Sequence, residues 1–287
     1  MEGGWLTDWL SSLSVVAIGI LTFSFMLAAA AAGRGVDHIQ SRRRKRAEQE
    51  SEPSIAQEGY LIGSVLGLLG LILAFSFGMA LNRYEARRDL VTKEANAIGT
   101  AYLRTQLLDE PYRGQLSRLL TRYTENRIAF ATSGGADRLA RNDQLLTDMW
   151  TVVRASRESA LAHGLTTALL MTFNEVIDLD TERKIAWELR VPVEVLFLVL
   201  VFLVVTAGVV GHQVDGPRGR RAALVLFAMT SFSIMIIADL NRPLSGHSRE
   251  SQKAMRMLLQ SLRAQPPAVF DRFDADGAAA KAEQSVK

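Results

Sequence analysis

The amino-acid sequence predicts an all-α membrane protein with four transmembrane helices and a helical bundle outside the bilayer, between helices two and three. The chain has 287 residues, of which 48% are hydrophobic and 22% are charged, and the hydrophobic residues are concentrated in four blocks. Each block is long enough to cross about 30 Å of hydrocarbon as a helix, and none alternates with the period of two that a strand requires. The four blocks are Val15–Ala32, Leu61–Leu81, Val191–Val210 and Ala222–Ala238.

The first block has the charge order of an anchoring helix. The residues before it are acidic and a basic cluster at 42–46 follows it, whereas a cleaved signal peptide carries its basic residues in front. The small residues Ala28–Ala32 nevertheless leave cleavage open. Gly33 and Gly35 predict the end of this helix, and residues 36–58 are expected to form a solvated connector.

The second block is spaced by glycines and continues into a polar segment. No proline or turn cluster interrupts residues 59–108, so one long helix is expected, half in lipid and half in water. Gly63, Gly67 and Gly70 follow Gly59 at helical spacing, and such positions let another backbone approach closely. Two interpretations stay open: ordinary packing within one subunit, or a smooth face that packs between subunits or lines a narrow passage.

After Leu81 the helix becomes amphipathic, and its two faces predict partner helices outside the membrane. The apolar stripe, interrupted by one arginine, consists of Leu81, Tyr84, Arg88, Val91, Ala95, Ile98 and Tyr102. The polar face is expected to carry Glu85, Arg87, Asp89, Lys93 and Glu94.

The partner helices follow in residues 82–190, which therefore form the predicted bundle. Pro111 is expected to open the first of them, with Asp109 as a possible cap. Glycine-containing breaks at 133–135 and 163–164 separate two further helices, of which the first runs over 137–161 and the second over 165–190. The resulting domain organisation is 1–81 for the first transmembrane pair, 82–190 for the bundle, 191–241 for the second pair and 242–287 for an amphipathic, then frayed, tail.

Three charged residues near the ends of the last two blocks are candidate site residues. Glu194 lies at or just inside the membrane boundary, where an ionisable group suggests a transport role, although pairing with Arg190 at the interface is an alternative. Asp239 and Arg242 are three residues apart on one helical face. They are expected to form a structural latch, with each other or with Arg83 or Arg87, or else an anion-attracting ring in an oligomer.

Several classes of function find no support in the sequence. The chain has no cysteine, which excludes disulfides, thiolate metal sites and a cysteine nucleophile. No serine-hydrolase, phosphate-loop, zinc-protease or dinucleotide motif occurs, and the four histidines lack metal-ligand spacing. We therefore expect no enzyme activity, no metal and no cofactor. The net charge of +3 comes from clusters beside the apolar blocks, which favours contact with the lipid bilayer over nucleic acid. Basic residues are almost balanced between the two sides, so the orientation stays open.

Four motifs occur in an order that resembles the bacterial bestrophin-like integral membrane proteins, a family of uncharacterised function. They are Arg83–Arg88 (R-Y-E-A-R-R), Glu94–Ala97 (E-A-N-A), the helix that begins at Pro111, and Asp239–Pro243 (D-L-N-R-P). The resemblance covers residues 10–262 and implies a multi-pass protein of the cell membrane, expected to be a bacterial inner membrane. It makes site candidates of the motif residues Arg83, Tyr84, Glu85, Arg87, Arg88, Glu94 and Asn96.

A more distant resemblance links the chain to bestrophin anion channels. Residues 84–87 (Y-E-A-R) are similar to the W-E-A-R that follows the pore helix of those channels. The resemblance implies a homo-oligomer that conducts small anions, in which the second helix supplies the neck. The residues that would face a pore or a neighbouring subunit are Gly63, Leu66, Gly67, Gly70 and Phe75.

A non-transporting alternative is also open. Small glycines stand where a channel neck would need bulky residues. The protein would then be a membrane scaffold or sensor whose bundle binds a partner protein, through a surface that includes Leu145, Met149 and Trp150.

Overall fold

A computed structural model describes residues 13–47, 55–214, 216–242, 248 and 250–272 of the chain. The predicted frayed tail lies largely outside these ranges, as does part of the connector after the first block. Within the described ranges every regular element is a helix, and four helices are long and apolar enough to cross a membrane. The predicted all-α class with four membrane-spanning helices is therefore confirmed.

The described helices are nine α-helices and a short 3-10 turn. In chain order they are α1 (Val15–Ala47), α2 (Ile55–Thr105), α3 (Tyr112–Ser133), α4 (Ala136–Ala155), α5 (Arg157–Ala162), α6 (Thr166–Glu188), α7 (Val193–Gln213), α8 (Gly216–Leu240), α9 (Lys253–Ala264) and the 3-10 turn Pro267–Val269. The predicted helix at 137–161 is divided at Ser156, between α4 and α5.

The chain divides into two compact units, which we describe separately. The first comprises residues 1–84 and 189–248, and the second comprises residues 85–188 and 249–287. The first unit therefore contains α1, α7, α8 and the apolar half of α2, and the second contains the remaining helices. The C-terminal α9 belongs to the second unit, because its Met255 and Leu262 are buried in that unit's core.

In the first unit, α1 is longer than predicted. It continues through Ala47, so Gly33 and Gly35 lie inside the helix rather than at its end. A Cβ atom on Gly33 would stand 2.1 Å from the carbonyl oxygen of Gly208 in α7. Gly33 therefore lacks a side chain because α7 approaches closely, and the prediction that it terminates α1 is wrong.

A second glycine makes the packing of α1 and α7 reciprocal. A Cβ atom on Gly211 of α7 would lie 2.1 Å from the carbonyl oxygen of Ala30. Around this contact, Met26, Val199 and Leu203 are almost fully buried. Without a hydrophobic driving force between helices in lipid, such close contact of small residues is a main source of stability.

The long helix α2 is unbroken for 51 residues, which confirms the predicted single helix through the apolar and polar halves. After it ends at Thr105, α3 begins without the expected Asp109 cap. The Glu110 carboxylate instead accepts a hydrogen bond from the backbone N–H of Gly114 at 3.1 Å. Asp109 Oδ1 lies 3.2 Å from His163 Nε2 and so joins the start of α3 to the turn after α5.

The second unit has one apolar core. Side chains from α2, α3, α4, α6 and α9 contribute to it, and its residues include Ile98, Leu116, Leu120, Leu145, Met149, Phe173 and Met255. Leu145 and Met149 are each 1% exposed, whereas Trp150 is 38% exposed. The predicted partner surface is therefore wrong for the first two residues, which fill the core.

Candidate functional site

The glycines in the apolar half of α2 form an open face. Gly63, Gly67 and Gly70 are exposed, and a Cβ atom on any of them would meet nothing within 4 Å among the described residues. At about 100° per residue, they lie on the side of the helix away from Leu69 and Ser76, which are buried. The glycine face therefore takes no part in packing within the described chain, unlike Gly33 of α1 and Gly211 of α7.

The two bulky residues grouped with these glycines do not share one face. Leu66 is half-buried, whereas Phe75 is 66% exposed. Nine residues of an α-helix turn through about 900°, so the two side chains leave the helix on opposite sides. A single passage along α2 can be lined by the glycines, but not by both Leu66 and Phe75.

The R-Y-E-A-R-R motif begins in the first unit and ends in the second. Arg83 and Tyr84 are half-buried, and Glu85 and Arg88 are exposed. Arg87 is 2% exposed, and its Nε lies 2.6 Å from Glu250 Oε1. The predicted faces are therefore wrong for the last two arginines of the motif: Arg88 points outward, and Arg87 occupies the buried stripe.

The E-A-N-A motif places a carboxylate at the centre of the bundle. Glu94 is fully buried, which overturns its predicted place on the polar face, whereas Asn96 is exposed. Arg127 Nε lies 2.8 Å from Glu94 Oε1, and Arg183 Nη1 contacts Glu94 Oε2. Tyr123 donates a hydrogen bond from its hydroxyl to Glu94 Oε1 at 2.6 Å. Because two guanidinium groups and a hydroxyl compensate the carboxylate, it can remain charged inside the core.

A second carboxylate, Asp180, extends this arrangement into a network. Arg127 Nη1 lies 3.1 Å from Asp180 Oδ1, Asn142 donates to the same oxygen at 2.6 Å, and Lys184 Nζ lies 2.7 Å from Oδ2. Burial, followed by the negative charge of Glu94, raises the pKa of Tyr123 well above its ordinary value. The phenol therefore stays protonated and serves as a donor.

An aromatic ring covers the two arginines of the network. The guanidinium carbons of Arg127 and Arg183 lie 5.1 and 5.2 Å from the ring centre of Trp187, within the range of cation–π attraction. Phe130 packs on the same ring with a centroid distance of 4.7 Å. The network thus joins α2, α3, α4 and α6 through ion pairs and hydrogen bonds, and its chemistry favours fixing the bundle rather than proton transfer.

Sequence reasoning missed the partners of Glu94, although a signal for them exists. Arg127 continues the helical series Leu116, Leu120, Tyr123 at the next turn. Asp180 and Arg183 likewise follow the buried Val176 at the spacing of one helical face. Charged residues that continue an apolar stripe on two helices indicate a buried ion pair between them.

The D-L-N-R motif ties three chain segments together in the first unit. Asp239 Oδ2 accepts a hydrogen bond from the backbone N–H of Ser248 at 2.9 Å. Asn241 Oδ1 accepts one from the backbone N–H of Val191 at 2.8 Å. Arg242 donates to the carbonyl oxygen of Leu13, just before α1. The motif residues therefore connect the end of α8 to the segments before α1 and α7.

The remaining candidate, Glu194, is exposed in the first turn of α7. It lies two residues after Pro192, whose extended backbone precedes the helix. Within the described ranges, no group of three histidine, aspartate or glutamate residues could hold a metal ion.

Comparison with known protein families gives a match over most of the chain. A family model for the Bestrophin-like domain matches residues 27–255. The matched region covers well over half of the chain and includes the motifs at 83–88, 94–97 and 239–243. Comparisons with curated proteins and with solved structures give no match.

Proposed function

Because this chain belongs to the bestrophin-like family, we propose that it assembles into a homo-oligomer that conducts small anions as a channel or transporter. Its site of action would be the cell membrane, specifically a bacterial inner membrane. The observation that carries this proposal is the open glycine face of α2, formed by Gly63, Gly67 and Gly70.

The glycine face supports assembly because of its contrast with the other spanning helices. Gly33 and Gly211 each make a close contact inside the chain, whereas Gly63, Gly67 and Gly70 meet no described neighbour. Small residues at helix surfaces in membranes let a second helix approach closely. A second copy of α2 is therefore a suitable occupant, and several copies around an axis would enclose a passage.

The charge at the end of the apolar half of α2 supports an anionic substrate. The exposed Arg88 follows the glycine face at helical spacing, whereas the half-buried Arg83 leaves α2 on another side. Repetition of Arg88 around a symmetry axis would raise the local anion concentration. Rings of this kind select anions in other pores.

The first experiment measures oligomeric mass in detergent for the wild type, Gly67→Leu and Gly35→Leu. Gly35 is the matched control, because it also lies in a long helix and a Cβ atom on it would meet nothing within 4 Å among the described residues. We expect Gly67→Leu to reduce the mass to that of a smaller species and Gly35→Leu to leave it unchanged. A monomeric wild type would refute the proposal, because four helices from one copy leave little room for a pore.

The second experiment measures chloride flux from liposomes that contain the purified wild type. Flux in the wild type that is lost in Gly67→Leu would support conduction through the assembled α2 helices. An intact oligomer that passes no chloride at any pH or calcium concentration would overturn the transport function.

A non-transporting scaffold or sensor is the second candidate. It is favoured by apolar side chains that the second unit leaves in contact with solvent: Leu103 is 54% exposed, Leu107 55% and Met171 66%. Arg104, between the two leucines, donates to the carbonyl oxygen of Ala168 at 3.0 Å, which places the end of α2 beside the start of α6. Crosslinking to a partner that is lost in Leu107→Glu, together with absent flux, would support this candidate over the channel.

A further inference from the structure

Two neighbouring cavities on the second unit are lined by arginines. The first, of about 390 Å³, lies between α3 and α4. The second, of about 400 Å³, lies between α3 and the C-terminal segment of α9 and the 3-10 turn. Arg122 and Glu125 of α3 line both cavities, so the two adjoin at these residues, and we call them together the arginine groove.

The charge in the arginine groove is one-sided. Its titratable lining consists of Arg118, Arg122, Arg138, Arg141 and Arg263, together with the carboxylate of Glu125 and the buried phenol of Tyr102. Glu125 is already neutralised, because its Oε1 lies 2.6 Å from Arg263 Nη2. Four arginines thus share the groove without an ion pair to any residue of the described ranges.

The spacing of these arginines adds to their mutual repulsion. Arg118 and Arg122 are one turn apart on α3, and Arg138 and Arg141 are one turn apart on α4. Like charges at such spacing destabilise a helix. A bound anion would remove this cost on both helices at once.

The floor of the groove is rigid. Asn126 donates a hydrogen bond from Nδ2 to the backbone carbonyl of Arg138 at 2.9 Å and so fixes α3 against α4. Leu145, beneath the first cavity, is 1% exposed. The helices that carry the four arginines are therefore held together at this point.

The lining defines the class of ligand. Planar guanidinium groups bind phosphate and carboxylate oxygens in pairs of parallel hydrogen bonds. Tyr102, Leu145 and Leu262 are at most 5% exposed, so no aromatic face is available to stack on a base and no leucine is available to hold an acyl chain. Each is an open depression at the surface whose volume lies within the range of small-molecule sites.

We infer that the arginine groove binds a soluble small molecule that carries two or more phosphate groups. This binding site uses none of the residues proposed to form the pore, so it does not depend on whether the chain forms a channel. The groove's charge excess and its fixed backbone are the features that carry it.

The test is calorimetric titration of inorganic pyrophosphate into the full chain, held in nanodiscs of phosphatidylcholine. The groove variant is Arg122→Gln with Arg141→Gln, and the matched control is Arg154→Gln with Arg157→Gln. All four arginines are exposed, so both variants should keep the wild-type circular dichroism and melt no lower than the wild type. The controls lie at the end of α4 and the start of α5 and line neither cavity.

We expect the groove variant to bind pyrophosphate at least about tenfold more weakly than the wild type, since each lost charge-assisted pair costs about that factor. The control should keep the wild-type Kd. Equal weakening in both variants would overturn the inference, because it would show attraction to net charge alone, and so would no binding to the folded wild type. Tighter binding of soluble dihexanoyl phosphatidylglycerol at the same groove would assign it to lipid headgroups and overturn a soluble ligand.

Discussion

Replacement of Glu94 by glutamine tests whether the buried network holds the bundle together. Glu94 accepts contacts from Arg127, Arg183 and Tyr123 and is fully buried. In the variant, Arg127 would keep its contact with Asp180, but Arg183 would lose its ion pair with Glu94, although both guanidinium groups are at most 2% exposed. Removal of one partner from a buried ion pair costs about 3–5 kcal/mol.

The loss should appear directly in thermal unfolding. For a unit of this size, about 2–4 °C of melting temperature corresponds to each kcal/mol, so Glu94→Gln should lower the midpoint by roughly 6 to 20 °C. Near-ultraviolet circular dichroism of the full chain in detergent is a suitable probe, because Trp187 lies over both arginines. The matched control is Glu85→Gln, an exposed carboxylate on the same helix, which should change the midpoint little.

A double variant separates charge from packing. If the uncompensated positive charge causes the loss, Glu94→Gln combined with Arg183→Met should be more stable than Glu94→Gln alone, because the second change removes the excess charge. A midpoint for Glu94→Gln that matches the Glu85→Gln control would refute the reasoning. A double variant whose loss of melting temperature equals the sum of the losses in Glu94→Gln and Arg183→Met would also refute it.

Three further predictions concern the packing of α1 against α7, a hydrogen bond before α7, and the pH dependence of stability. Gly211→Ala should abolish monodisperse protein in size-exclusion chromatography, because its Cβ would overlap a carbonyl oxygen of α1, whereas Gly70→Ala should not. Asn241→Ala should lower the melting temperature measurably, because it leaves a backbone N–H before α7 without its acceptor. Hydrogen bonds from Arg113 lower the pKa of Asp271 below 3.8, so this contact should stabilise the fold above pH 3.8. The stability difference between wild type and Asp271→Asn should disappear as the pH falls through that lowered pKa, and a difference that persists in acid would contradict the assignment.

The helices were predictable because their signals are local. Apolar length identifies the four spanning segments, and the glycines at 134, 135 and 164 separate helices where the structure has positive φ angles of 63°, 106° and 66°. Four ordered motifs were sufficient to predict the family that the comparison then identified. Each of these features depends on neighbouring residues in the chain, which the sequence displays directly.

The candidate sites were less predictable because they depend on distant partners. Arg87 and Glu94 were expected in solvent, and they are buried because Glu250 and Arg183, 163 and 89 residues away, compensate their charges. The glycines posed a similar difficulty. Gly33 and Gly63 have the same local chemistry, but only the path of α7 decides that the first is covered and the second is open.

The contacts of α9 carry a consequence for the order of synthesis. Arg87 pairs with Glu250, and the Tyr102 hydroxyl donates to the carbonyl oxygen of Gln265 at 2.7 Å, although α7 and α8 are translated between these partners. The bundle therefore stays incomplete until the last spanning helix has left the ribosome. Until then, the charge of Arg87 has to be hydrated by water. A nascent chain that stops after α8 would leave apolar core residues of the bundle exposed to chaperones and proteases.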